Sequence, residues 1–130
     1  MEQNRPYVLA LDVGTSSLKA VVYAPSGTVL ASATQRYDYT SPQPGWGEID
    51  PELWWQALVA ALAELRPQVD LHQAQVVAVT GQMHTAVLLD AERRPLRPVI
   101  LWLDRRASAE TEELQGALKL PPYHLNSTYT

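Results

Sequence analysis

The sequence predicts an α/β domain whose mixed sheet begins with three antiparallel strands and continues with a helix and further strands. Two apolar, branched-rich runs, at residues 7–13 and 18–24, are joined by a short polar loop, which is typical of a β-hairpin. A third run at 28–37 alternates in residue type and follows a turn at Pro25-Ser26-Gly27. Apolar residues at helical spacing come next, after an irregular loop at 41–47 that holds two prolines and two glycines.

Size and composition indicate one globular domain. The chain has 130 residues, of which 46% are hydrophobic and 18% charged. It has no cysteine, which excludes disulfides, thiolate metal sites and a cysteine nucleophile. The net charge of -4 argues against nucleic-acid binding, and the longest apolar run, 57–63, is too short for a membrane span. We therefore expect a cytoplasmic protein that contacts neither nucleic acid nor membrane.

The first helix is predicted between Asp50 and Pro67. The Asp50 carboxylate can accept hydrogen bonds from first-turn amides, Pro51 tolerates the first helical position, and Glu52 favours the positive end of the helix dipole. Pro67 ends the pattern, because proline cannot continue a helix. The apolar positions at helical spacing are Trp54, Leu58, Ala61, Leu62 and Leu65.

The second half of the chain alternates between short apolar runs and polar turns. Residues 75–79 predict a buried strand that stops at Thr80-Gly81. Further short apolar runs lie at 83–89 and 98–102, on either side of a polar turn at 90–95, and residues 104–118 predict a second helix.

The first candidate site is Asp12-Val13-Gly14-Thr15-Ser16-Ser17-Leu18-Lys19. A carboxylate at a strand end can hold a hydrated Mg²⁺, and a glycine with three hydroxyl residues in a tight turn offers amide and hydroxyl groups to phosphate oxygens. Lys19 adds a positive charge. The same residue types also suit a plain hairpin turn, and the segment lacks the Walker A pattern.

The second candidate is Thr80-Gly81-Gln82-Met83-His84, at the end of the predicted buried strand. The Gln82 amide and His84 imidazole can hydrogen-bond sugar hydroxyls, and ligands of open sheets bind beyond the carboxyl ends of strands. A loop histidine with a structural hydrogen bond is the alternative interpretation.

The third candidate is Trp102-Leu103-Asp104-Arg105-Arg106, where a strand gives way to a helix. Asp104 suits a helix N-cap, whereas arginines in a first turn oppose the helix dipole, which suggests another role for at least one of them. Trp46, Trp54 and Trp55 are interpreted as core and staple residues.

Five segments in order carry a family resemblance: LALDVGTSSLKAVVYAPSG, GWGEIDPELWW, VTGQMH, RPVILWLDRRA and LPPYHLNSTYT. Together they resemble the N-terminal part of the FGGY carbohydrate kinases, a branch of the actin-like ATPase superfamily, over nearly the whole chain. Met83-His84 after Gly81-Gln82 is more similar to xylulokinases and gluconokinases than to glycerol kinases, which carry an Arg-Glu pair there.

The resemblance implies a ribonuclease-H-like fold and an ATP- and Mg²⁺-dependent transfer of phosphate to a xylulose- or gluconate-like sugar. Asp12 would hold the metal through water, and Lys19 would face the transferred phosphate. The implied phosphate loop is Gly14, Thr15, Ser16 and Ser17. The implied sugar pocket is Gln82, Met83 and His84, with Asp104 and Arg106 at its edge.

The resemblance also implies that residues 1–130 are the N-terminal portion of a truncated first domain. In the family, the general base and the adenine-binding second domain lie past position 130, so we assign no catalytic residue here. We expect the isolated chain to be inactive. An incomplete domain also predicts exposed apolar surface and self-association, for example as a homodimer.

Two other functions stay open. A ribonuclease-H-like nuclease has a similar strand order, but it would cluster several carboxylates, and the fourth predicted strand ends in Thr80-Gly81-Gln82. A non-catalytic, actin-like ATP-binding module is the other, although it leaves the sugar-facing Gln82-Met83-His84 segment without a use.

Overall fold

The strands and helices of the chain divide between two units. The computed structural model describes residues 6–118. The first unit comprises residues 6–38 and 50–82, and the second comprises 39–49 and 83–118. In chain order the elements are β1 (Tyr7–Val13), β2 (Ser17–Tyr23), β3 (Val29–Arg36), β4 (Glu48–Ile49), α1 (Glu52–Leu65), a 3₁₀ turn (Leu71–Gln73), β5 (Ala74–Gly81), β6 (Val99–Ile100) and α2 (Ser108–Leu118).

The first three strands form the antiparallel part of the main sheet, as predicted. β2 lies in the middle and pairs with β1 on one side and β3 on the other. Directly paired residues of neighbouring strands point to the same face of a sheet, so the small and branched side chains of these strands build one apolar face. Its buried members are Leu9, Leu11, Leu18, Ala20, Val22, Ala31 and Ala33.

Helix α1 packs against β2 and β3. Of the apolar positions that the sequence predicts, Ala61 and Leu65 are buried, and Trp54, Leu58 and Leu62 are half-buried. Ala57, Ala61 and Leu65 are buried at a spacing of four residues, so they share one side of the helix. The Asp50 carboxylate accepts a hydrogen bond from the Glu52 amide at 3.0 Å, which confirms its predicted part at the helix start. Trp55 lies off this stripe and is exposed, so its interpretation as a core residue is wrong.

Strand β5 runs parallel to β1 and is the last strand of the sheet, whose order is β3-β2-β1-β5. The predicted strand at 75–79 is confirmed, but its predicted burial is wrong, because α1 packs over β2 and β3. Val76, Val77 and Val79 are 52%, 57% and 68% exposed. Exposed apolar surface, which the sequence predicts, is therefore present along this edge of the sheet.

The second unit contains little regular structure. Its two strands, β4 and β6, are two residues long and pair in antiparallel register. The run at 83–89 forms a single bridge, between Leu89 and Pro95, across the predicted polar turn. Helix α2 begins at Ser108 and not at Asp104, so the predicted start was four residues too early. In this unit, isolated backbone hydrogen bonds, such as that from the Leu101 amide to the Gly47 carbonyl oxygen at 3.0 Å, and side-chain contacts take the place of long ladders.

Between residues 6 and 118, neither helix combines the length and the hydrophobicity that crossing a bilayer requires.

Candidate functional site

The loop between β1 and β2, residues 14–17, is a tight turn closed by its own backbone. The Gly14 amide donates to the carbonyl oxygen of Ser17 at 2.9 Å. A Cβ atom at Gly14 would lie 3.1 Å from that oxygen, so a larger residue would require the Ser17 carbonyl to shift by a few tenths of an ångström. Glycine at this position therefore allows a close turn that carries the three hydroxyl residues Thr15, Ser16 and Ser17.

Asp12 and Lys19 flank this loop at paired positions of β1 and β2. Both side chains are exposed, and cross-strand partners point to the same face, so the carboxylate and the ammonium lie on one face beside the loop. In the parallel register Asp12 is also the partner of Thr80. The sheet thus brings Thr80 beside Asp12 and Lys19, although more than sixty residues separate it from them in sequence.

The carboxyl ends of β1 and β5 meet at the loop. The Gln82 amide donates to the Val13 carbonyl oxygen at 3.0 Å, and the Thr15 hydroxyl donates to Oε1 of Gln82 at 3.3 Å. Gly81 allows this approach, because a Cβ there would lie only 2.7 Å from the Val13 carbonyl oxygen. Gln82 of the second candidate therefore adjoins the first candidate, at the kind of strand end where open sheets bind ligands.

Tyr37 donates two hydrogen bonds to the 14–17 loop, a contact that sequence reasoning missed. Its hydroxyl donates to the Gly14 carbonyl oxygen at 2.7 Å, and its amide donates to the Ser16 carbonyl oxygen at 3.1 Å. Burial, together with the nearby Asp12 carboxylate, raises the pKa of the Tyr37 hydroxyl to about 12. The hydroxyl is therefore a hydrogen-bond donor throughout the neutral pH range. An isolated tyrosine just after a strand carries no signal of such a role.

The second unit holds a network of charged side chains around Asp104. Arg106 binds this carboxylate with two parallel hydrogen bonds, Nε to Oδ1 at 2.8 Å and Nη2 to Oδ2 at 2.7 Å. Its Nη1 donates to Glu48 at 2.8 Å, and its guanidinium lies 3.7 Å from the centre of the Trp46 ring. The Gly47 amide donates to Oδ2 of Asp104 at 2.7 Å, which ties the 41–47 loop to this network.

The network sets the protonation of its members. The Asp104 side chain is only 2% exposed, and burial alone would favour its neutral form. The Arg106 hydrogen bonds outweigh burial and, with the Gly47 amide, lower the pKa of Asp104 to about 2. The same bonds to Asp104 and Glu48 raise the pKa of Arg106. Both groups are therefore charged at neutral pH.

A cavity of about 360 Å³ borders this network within the second unit. Its walls include His84, Trp102, Asp104 and Arg106, together with apolar side chains and Arg97. His84 adopts a φ of 58°, in the left-handed region that residues other than glycine rarely occupy. Such conformations are concentrated at binding and catalytic sites.

The structure groups the predicted sugar-pocket residues into two sets. Gln82 belongs to the first unit and contacts the 14–17 loop, whereas His84, Asp104 and Arg106 line one cavity in the second. Met83 belongs to the second unit and is 72% exposed, and it is not part of that wall.

Two interpretations from the sequence change in the second unit. Asp104 is not a helix N-cap, because α2 begins at Ser108 and the carboxylate binds Gly47 and Arg106 instead. Trp46 is not a plain core residue, since its ring carries the Arg106 guanidinium. The suggestion that an arginine here has another role is confirmed for Arg106.

Sequence reasoning missed Glu48 as the partner of Arg106, and it gave Trp102, although part of the third candidate, no role. Glu48 lies in the GWGEIDP segment, and an acidic residue two positions after a tryptophan was the available signal. Trp102 lies two residues before Asp104 and lines the cavity. Glu48 and Arg106 are far apart in sequence, so only the fold brings them into contact.

Comparison with known proteins identifies close relatives. The sequence profile of the FGGY family of carbohydrate kinases, N-terminal domain, matches residues 7–126. The xylulose kinase of Escherichia coli (strain K12) is 41% identical over 108 residues, which cover 83% of this chain and 22% of that protein. The glycerol kinase of Koribacter versatilis (strain Ellin345) is 37% identical over 115 residues, covering 86% and 23%.

A solved structure agrees with these sequence matches. The crystal structure of a "xyloylose kinase" from Brucella ovis superposes with a TM-score of 0.81 at 39% identity, and the match covers 87% of this chain and 24% of that one. The chain therefore spans about a quarter of the length of the relatives that it matches.

Proposed function

Because the chain belongs to the FGGY family of carbohydrate kinases, we propose that it supplies the phosphate loop and part of the sugar site of a sugar kinase. Its fold is the family's actin-like ATPase fold, as the sequence predicts. The proposed activity is the ATP- and Mg²⁺-dependent phosphorylation of a xylulose- or gluconate-like sugar by the whole protein. This chain corresponds to the N-terminal portion of the first domain.

One observation carries the proposal: the hydrogen bond from the Thr15 hydroxyl to Oε1 of Gln82. It joins the predicted phosphate loop to the first residue of the predicted sugar-binding segment. A kinase needs the phosphate donor and the acceptor hydroxyl side by side, since phosphoryl transfer depends on positioning and charge stabilisation. Contact between a hydroxyl-rich loop and a strand-end amide supports that arrangement.

The residues around the loop fit a phosphate chain and a hydrated Mg²⁺. Mg²⁺ keeps several waters and is usually held by one or two carboxylates together with substrate phosphates. Asp12 offers one exposed carboxylate at the strand end. In the part of the chain that the structure describes, no group of three or more metal-binding His, Asp or Glu side chains occurs. When bound, Mg²⁺ neutralises charge on the phosphates.

The chain's own residues would hold the reacting groups. The 14–17 loop would orient the phosphates, and Lys19 would stabilise the charge on the transferred group. In the transfer, a bond forms between the sugar hydroxyl oxygen and the terminal phosphorus, and the bond to the bridging oxygen of ADP breaks. The hydroxyl proton goes to a carboxylate base that we place outside residues 1–130, so the isolated chain should not turn over.

The sugar side rests on Gln82, Met83, His84 and the second-unit cavity. A wall that combines an aromatic ring with fixed polar groups suits a sugar, whose faces are apolar and whose edges carry hydroxyls. The Asp104–Arg106 pair would support this wall, because Arg106 is hydrogen-bonded both to Asp104 and to Glu48.

Isothermal titration calorimetry of the 130-residue chain tests the phosphate loop and the sugar pocket separately. We expect binding of MgATP, and binding of D-xylulose or D-gluconate in preference to glycerol. His84→Gly should weaken sugar binding at least about tenfold while MgATP binding is kept; glycine adopts the positive φ readily, so the change removes only the imidazole. His72→Gly is the matched control, because His72 is exposed in the 3₁₀ turn.

Two results would contradict the proposal. Unchanged sugar binding by His84→Gly would show that His84 does not contact the sugar. Failure of the wild-type chain to bind any phosphate compound or sugar would contradict the assignment of both sites. Sugar-dependent release of ADP by the 130-residue chain would show that the base lies within it.

A further inference from the structure

Tyr37 contacts the 14–17 loop through two different parts of the same residue. The residue follows β3 and is 7% exposed. Its hydroxyl binds the carbonyl oxygen of Gly14, and its amide binds the carbonyl oxygen of Ser16. The loop's own bond, from the Gly14 amide to the Ser17 carbonyl oxygen, completes the set. Three of the four carbonyl oxygens in the loop therefore accept hydrogen bonds from within the first unit.

The direction of these carbonyl groups matters for an anionic ligand. A carbonyl oxygen carries partial negative charge and repels phosphate oxygens, whereas amide hydrogens attract them, so an anion-binding loop must turn its carbonyls away from the ligand. Each bond to Tyr37 holds one carbonyl on the protein side. We propose that Tyr37 is the positioning residue of the 14–17 loop, holding it in its phosphate-binding conformation. This inference rests on the proposed function of the loop.

The hydroxyl contributes something that packing does not. A phenylalanine would fill nearly the same buried volume but could not reach the Gly14 carbonyl with a donor. Because burial raises the pKa of this hydroxyl to about 12, it keeps its proton at neutral pH and remains a donor to the Gly14 carbonyl. The main-chain bond to Ser16 is available to any residue at this position. The side-chain bond is thus the part that the residue type decides.

Tyr37→Phe tests the inference, with Tyr39→Phe as the matched control. Tyr39 is 41% exposed, and its substitution makes the same chemical change away from the loop. Amide hydrogen exchange measured by NMR should become about tenfold faster in Tyr37→Phe at residues 14 and 37, whose amides donate to the Ser17 and Ser16 carbonyl oxygens, as expected for the loss of one hydrogen bond. Exchange at central β2 residues such as Val22 should stay unchanged, which separates local loosening from general destabilisation. Unchanged loop exchange would overturn the inference whatever the loop binds.

A binding measurement separates this inference from the proposed function. Affinity for MgATP, and for Mg²⁺-tripolyphosphate as a probe of the phosphates alone, should fall about tenfold in Tyr37→Phe and stay unchanged in Tyr39→Phe. Faster loop exchange with unchanged affinity would overturn the role in phosphate binding. If the wild-type chain binds neither probe, the proposed function of the loop fails, and with it the phosphate-positioning role of Tyr37.

Discussion

The two units hold their candidate residues by different means. In the first, strand register sets the positions: Asp12, Lys19 and Thr80 are brought together by the pairing of β2, β1 and β5. In the second, the strands are two residues long, and Asp104 and Arg106 are held by their hydrogen bonds to each other and by the bond from Arg106 to Glu48. A site built on register depends on backbone fit, whereas a site built on ion pairs depends on a few side chains. The two regions should therefore fail under different substitutions.

Removing the Asp104 carboxylate should produce the largest effect. Asp104→Ala leaves the Arg106 charge without its bidentate partner and the Gly47 amide without its acceptor, which should cost about 3–5 kcal/mol in the free energy of unfolding. Urea unfolding followed by tryptophan fluorescence measures it. Asp38→Ala, at an exposed position, should change stability by less than about 0.5 kcal/mol. Equal effects of the two substitutions would mean that the ion pairs do not hold the second unit.

Gly81→Ala tests the strand register of the first unit. The added methyl group should lower the free energy of unfolding by up to about 3 kcal/mol. The new Cβ would meet the Val13 carbonyl oxygen at 2.7 Å, and backbone cannot move aside as a flexible side chain can. Gly116→Ala is the matched control, because nothing lies within 4 Å of that Cβ and alanine favours the α2 helix. The control should be neutral or stabilising in the same urea experiment. A Gly81→Ala chain as stable as the wild type would show that the ends of β1 and β5 can move apart at little cost in free energy.

Acid should weaken the second unit through Asp104. The pKa of this carboxyl is about 2 in the folded chain and 3.8 ordinarily, so the folded state favours the charged form. Its contribution is fully present above pH 3.8 and is lost as the pH falls toward 2, amounting to about 2 kcal/mol. A ¹³C NMR titration of the aspartate carboxyl groups reads the pKa directly. Titration of Asp104 near 3.8 would mean that Arg106 does not stabilise it.

Local sequence patterns were sufficient for the regular elements of the first unit. Apolar, branched-rich runs predicted β1 and β2, alternation after a turn predicted β3, and helical spacing with Asp50 and Pro51 predicted the start of α1. These signals work because each depends on neighbours within a few residues. The prediction that β5 is buried was wrong because burial does not depend on near neighbours in sequence. A run of valines indicates a strand, but whether another layer covers it is decided by elements distant in sequence.

The candidate site divides in the same way. The residue types of the 14–17 loop and its flanking Asp12 and Lys19 were recognisable from their spacing. The supports of the site were not. Tyr37 lies two strands away from Gly14 in the chain, and Glu48 lies more than fifty residues before Arg106.

By itself, the sequence determined the family, the order of the main strands and α1, and the presence of a glycine- and hydroxyl-rich loop at a strand end. These properties reside in short segments whose chemistry is readable without their neighbours. Only the tertiary structure decided that Asp104 binds Arg106 and Gly47 in place of capping a helix, and that Tyr37 bonds Gly14. The physical reason is that hydrogen bonds and ion pairs act over about 3 Å, so they depend on which distant residues the fold brings into reach.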